Sequence, residues 1–88
     1  MSLKNTLVLI LSFIIIAVNG QNTEIDSLVK LLKQHTGNDT THVNLLNDIA
    51  DKYYRIDLDK TLYYAKQADS LSEMIGYKKG NARSLHLF

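Results

Sequence analysis

The stretch from Ile56 to Leu58 constrains the chain most, because it alone separates two helical apolar stripes. Before it, in DTTHVNLLNDIADKYYRI, Val43, Leu46, Ile49, Ala50 and Tyr53 fall at three- and four-residue spacing. Asn44, Asn47, Asp48, Asp51 and Lys52 take the other side. After it, in DLDKTLYYAKQADSLSEMIG, a second stripe runs through Leu62, Ala65, Ala68, Leu71 or Ser72, and Ile75. A link this short forces the two helices into an antiparallel hairpin. Asp39 or Thr40 suits the N-cap of the first helix, Asp57 that of the second, and Gly76 its left-handed stop. The two alanines of the second stripe let the helix backbones approach closely.

An earlier segment, NTEIDSLVKLLKQHTG, has the same grammar. Asn22 or Thr23 can cap it, Glu24 and Asp26 suit the positive end of its dipole, and Gly37 is expected at a left-handed C′ position. Ile25, Leu28, Val29 and Leu32 make its narrow apolar stripe. From Gln21 onward there is no β-branched alternation and no Asn-Gly or Asp-Gly turn, so strand signals are absent. The fold class expected is all-α.

The front of the chain is different. Lys4 and the amino terminus precede an apolar run from Leu7 to Val18, and Val18 and Gly20 are small residues two apart. This is the layout of a secretory signal peptide over residues 1–20, cleaved after Gly20. The rival reading, an uncleaved anchor, asks a run of about 18 Å as a helix to cross a hydrocarbon core of ~30 Å. Cleavage would leave nine basic and nine acidic side chains, a balance that gives no reason to expect nucleic acid or an anionic membrane surface as partner. Contact with a membrane is expected only through the signal peptide or a downstream anchor. The chain contains no Cys, so packing must hold the exported part together without disulfides.

At the other end, in YKKGNARSLHLF, Ala82, Leu85 and Phe88 lie three apart, as on one helical stripe. They stand 39 residues after Val43, Leu46 and Ile49. A helical period of 20–50 residues signals a solenoid. The organisation expected is a capping helix over 21–38, a hairpin repeat over 39–77, and the first half-helix of a second repeat over 78–88, with Tyr77 to Gly80 as the joint. The bare final stripe leads to the expectation that the chain is the truncated front of a longer protein.

The segment LLNDIADKYY…DKTLYYAKQADSLSEMIGYKKGNARSL resembles a tetratricopeptide repeat, above all the longer-period variety of exported bacterial sensor proteins, whose repeats often join through G-Y-K-K-G-x-A. Leu46, Ile49-Ala50 and Tyr53 occupy the places of the first-helix pattern, and Thr61, Ala65 and Ala68 those of the second. The departures are Ala50 for the usual Gly, Thr61 for the usual Ala, and the missing closing Pro. The resemblance implies a TPR-like α-solenoid serving as a protein-protein interaction module on the periplasmic or extracytoplasmic side of a bacterial inner membrane. It further implies the N-terminal part of a sensor histidine kinase or membrane-bound transcription regulator, any kinase activity lying in the full-length parent. The alternative is a free-standing scaffold protein with no signalling domain. A protein or peptide would bind in the superhelical groove, or the repeats would self-associate, with Asn47, Asp51, Tyr54 and Tyr63 as candidate groove residues.

Other clusters have plainer readings. His35, His42 and His86 include no pair at the i, i+4 spacing of a helical zinc site and are expected to be solvent-exposed. Tyr53 is expected to pack in the core, with Tyr54 and Tyr63 freer. Asp48, Asp51, Asp57, Asp59 and Asp69 are read as a solvated face, since a catalytic carboxylate pair needs an enclosed pocket. Lys78, Lys79 and Arg83 form a basic patch able to grip an acidic peptide, with a charged loop opening a helix as the default reading. The serines lack a nucleophile motif, and there is no glycine-rich phosphate loop. No catalytic residue, cofactor or metal ligand is expected.

Overall fold

A computed structural model describes residues 23–88. The signal-peptide reading of residues 1–20 lies outside the described residues. Those described are all-helical, with no strand: α1 (Thr23–Gln34), α2 (Thr40–Tyr53), α3 (Leu58–Ile75) and α4 (Lys78–Leu87). The helix boundaries follow the punctuation. Asp39 caps α2, its carboxylate accepting from the His42 N–H, and Asp57 caps α3 through the Lys60 N–H. Gly76 ends α3 with φ of 71°, a left-handed conformation that favours glycine.

The core forms where α2 and α3 meet. Val43 and Leu46 pack with Ala68 and Leu71, and Leu32, Ile75 and Tyr77 close around them. Towards the hairpin tip Ala50 and Ala65 pack together with Leu87 of α4, under Tyr64. Both stripe alanines of α3 are fully buried, as a close antiparallel approach requires. Thr61, one of the departures from the repeat pattern, is fully buried as well, and its hydroxyl donates to the Ala50 carbonyl at 3.0 Å. That bond compensates the burial of a hydroxyl where an alanine would carry none.

The α1 stripe is turned inward, with Ile25 buried and Leu28, Val29 and Leu32 partly so. Lys52 of α2 pairs with Glu24 at 2.8 Å, and this hydrogen bond raises the lysine pKa. The α1–α2 link departs from expectation. Gly37 does not take the left-handed conformation; among the described residues only Gly76 does. A Cβ on Gly37 would lie 2.7 Å from Asp39 Oδ2, so the glycine makes room for the capping carboxylate. His35 and His42, expected in solvent, are half-buried around this link. His35 Nε2 meets Asp39 Oδ1 at 2.8 Å, His42 Nδ1 donates to the Gly37 carbonyl at 3.0 Å, and the two rings stand edge to face. The His42 backbone bond and the His35 contact hold the Asp39 carboxyl below the usual aspartate range.

α4 begins at Lys78, so the joint is only Gly76 and Tyr77 rather than four residues. It docks through Gly80, Ser84 and Leu87, which are buried. A Cβ on Gly80 would come within 2.6 Å of Val43 Cγ1 and 2.7 Å of the Tyr77 ring, so this close approach requires glycine. The stripe read from the sequence, Ala82, Leu85 and Phe88, stays exposed. Docking selects a neighbouring face of the helix: Gly80 and Ser84 allow the close approach to α2, and Leu87 packs against Ala50 and Ala65.

Candidate functional site

α2 and α4 lie side by side and line an open cleft of about 540 Å³. Asn44 and Asp48 come from α2, Lys79 and Arg83 from α4, and Tyr77 from the joint between α3 and α4. The two walls are tied together. The Tyr77 hydroxyl donates to Asn44 Oδ1 at 3.1 Å, and Arg83 bonds Asp48 Oδ1 at 2.7 Å with Asp51 Oδ2 at 4.0 Å. Lys79 has no ion-pair partner among the described residues. The cleft therefore offers fixed hydrogen-bonding groups and both signs of charge. An open surface of this kind does not enclose a small ligand. A separate, smaller recess of about 180 Å³ is lined by Asp51 and Tyr54 and by His86 and Leu87 of α4.

Asp51 and Tyr54 are thus brought together, the tyrosine ring about half exposed, at 53%. Asn47 is not on this surface. It is fully buried beneath α4, donating to the Gly80 carbonyl at 3.4 Å and accepting from the Ser84 hydroxyl at 3.1 Å. Its place in a groove is corrected to a place in an interface, and the reason is the glycine opposite it, which lets α4 close over the amide. Tyr63 is 62% exposed and lines neither cleft. Its ring stands edge-on to Tyr64, which in turn stacks on Tyr53 at 6.0 Å. Tyr54 and Tyr63 are exposed, while Tyr53, expected in the core, is only partly buried and stacks on Tyr64, which is the ring that packs against the core. Burial against these rings raises the Tyr64 pKa.

The cleft residues outside the candidate groove set are Asn44, Asp48, Tyr77, Lys79 and Arg83. Asn44 and Tyr77 draw no site reading from the sequence and Asp48 only that of a solvated face, while Lys79 and Arg83 belong to the basic patch weighed as a grip for an acidic peptide and set aside for a charged loop. One signal points to them: Asn44 and Arg83 stand 39 residues apart, the same shift that relates the apolar stripes. Residues related by the period belong on the same side of successive helices.

Among the described residues no helix is long and apolar enough to cross a membrane. Comparison of the chain with family models, with characterised proteins and with solved structures finds no match.

Proposed function

We propose that the chain is a protein-interaction module built from tetratricopeptide-like helical hairpins, with the α2–α4 cleft as the start of its binding groove. The single observation that supports this most is the cleft itself: two successive helices present polar and charged side chains along one open surface. In this reading α1 caps the array, α2 and α3 form a repeat, and α4 opens the next. The signal-peptide layout read in residues 1–20 and the resemblance to sensor proteins support a reading in which the module works outside the cytoplasm, as the partner-collecting part of a sensor kinase or membrane-bound regulator. Its output is then a change in partner occupancy and not a reaction carried out in the groove.

A peptide-array screen against the full chain tests the reading. Peptides selected by the wild type should lose binding when Lys79→Glu reverses a charge in the cleft, while Lys66→Glu on α3 leaves binding unchanged. Indifference to Lys79→Glu would remove the cleft from the binding surface.

A further inference from the structure

Tyr77 is held from two sides. Its backbone N–H donates to the Ser72 carbonyl at 2.8 Å, and its ring packs on the core cluster of Val43, Leu46, Ala68 and Leu71. The hydroxyl is thereby delivered to one point on the wall of the α2–α4 cleft, where it donates to Asn44 Oδ1 at 3.1 Å. A primary amide has an acceptor end and a donor end. With its oxygen engaged, Asn44 keeps its NH2 group, which has no partner among the described residues and is open to solvent. Lys79, the other unpaired group in the lining, is also a donor, while the Asp48 carboxylate is engaged by Arg83.

We infer that Tyr77 is a positioning residue for recognition: it turns the Asn44 amide so that the cleft offers N–H donors to a main-chain carbonyl of an extended peptide segment. The inference rests on the interaction-module reading and names the group that the cleft receives. A helical segment spends its carbonyls on its own backbone, apart from the last four. An extended segment makes no internal backbone bonds, so its carbonyls are available along its whole length. Asn44 acts on the ligand directly in this arrangement, and Tyr77 acts through Asn44.

The test uses peptides selected on the wild-type full chain, titrated by fluorescence anisotropy against Asn44→Ala, Tyr77→Phe and the double variant. Tyr77→Phe keeps the ring in the core and removes only the hydroxyl, so helicity by circular dichroism should be unchanged. Losing one neutral hydrogen bond should weaken binding about threefold in Asn44→Ala, with a loss no larger in Tyr77→Phe. Because Tyr77 acts through Asn44, the double variant should bind no more weakly than Asn44→Ala alone. The Asn44→Ala effect should also survive truncation of each peptide side chain to alanine, since the contact is to the main chain. Losses that add in the double variant overturn the inference, as does a Tyr77→Phe chain that melts earlier yet binds like wild type, which would make Tyr77 a structural tie. An Asn44→Ala effect that vanishes with one truncated peptide side chain assigns the contact to that side chain and overturns it as well. Peptides lost with Lys79→Glu but indifferent to both Asn44→Ala and Tyr77→Phe overturn this inference while leaving the proposed function standing. Peptides indifferent to Lys79→Glu as well remove the cleft from the binding surface, and both readings fail together.

Discussion

α2 has two neighbours, and it holds them by different physics. Against α3 it presents Val43, Leu46 and Ala50 to Ala65, Ala68 and Leu71, with the Thr61–Ala50 bond as the one polar tie between the two helices among the described side chains. Against α4 and the joint before it, α2 has one apolar contact, Ala50 with Leu87, and otherwise presents amides and a carboxylate: Asn44 to Tyr77, Asn47 to Gly80 and Ser84, Asp48 to Arg83. Asn81 adds a bond to Asp69 of α3 at 2.7 Å. Apolar burial is non-directional and tolerates small shifts of one helix along another. Hydrogen bonds between buried groups stabilise only the register that makes them, and each one left unmade costs about 1–3 kcal/mol. The α2–α3 contact thus supplies cohesion, while the α2–α4 contact fixes where α4 sits and with it the width of the cleft.

The comparison can be broken from either side. Leu46→Ala removes a fully buried side chain from the apolar contact and should cost about 2–5 kcal/mol. Because α1, α3 and Tyr77 all lean on that cluster, chemical denaturation should show the whole chain losing stability in one step. Gly80→Ala strikes the polar contact. Its added methyl meets Val43 and Tyr77 well inside contact distance, and overpacking of this kind costs about 1–3 kcal/mol. Here hydrogen exchange should show α4 amides losing protection while the α2–α3 hairpin keeps its own. Equal loss in both helices would mean that the two contacts form one cooperative unit.

The apolar contact was legible in the sequence and the polar one was not. Val43, Leu46, Ala50, Ala65 and Ala68 announce themselves by spacing and by size, and all are buried. The caps Asp39 and Asp57 and the stop at Gly76 are legible for the same reason, since each is a local preference of the backbone. Asn47 lies among polar neighbours on a face that looks solvated, and only the glycine 33 residues later makes it an interior residue. Ser84 is likewise a polar residue whose burial depends on a distant amide. Periodicity detects burial by apolar side chains, so an interface built largely from amides, a serine and a glycine, with Leu87 as its single buried leucine, gives it little signal. The α4 face was misjudged accordingly: the leucine-bearing stripe was read correctly as a stripe, while the docking face beside it passed unnoticed. Gly37 was misassigned because a contact with the Asp39 side chain, and not a helix end, governs it.

A smaller effect of opposite sign sharpens the contrast. Ser72 sits where α3 approaches Gly80, and its hydroxyl is fully buried with no hydrogen-bond partner among the described residues. An unpaired buried hydroxyl is a net cost, so Ser72→Ala should stabilise the chain by about 1 kcal/mol. The gain should appear in thermal melts and as slower exchange in α4. A destabilised Ser72→Ala would show that this hydroxyl supports the docking of α4 and belongs with the polar contact after all.

The smallest effect is expected at the surface end of the same contact. Arg83 and Asp48 are each about two-fifths exposed, and exposed ion pairs contribute about 0–1 kcal/mol. Arg83→Ala should therefore barely move the unfolding midpoint, and the difference from wild type should vanish as salt rises. Its consequence for binding is larger than for folding. The pair spans the cleft, and without the guanidinium Asp48 faces the opening unneutralised while Asp51 loses a cation at 4.0 Å. A partner held through acidic groups should bind the variant more weakly, and one held through basic groups more tightly. The sign of that change, read by titrating peptides selected on the wild-type chain, reports which charge the cleft is built to receive. A change in stability of several kcal/mol would instead make Arg83 a structural tie and remove it from the recognition surface.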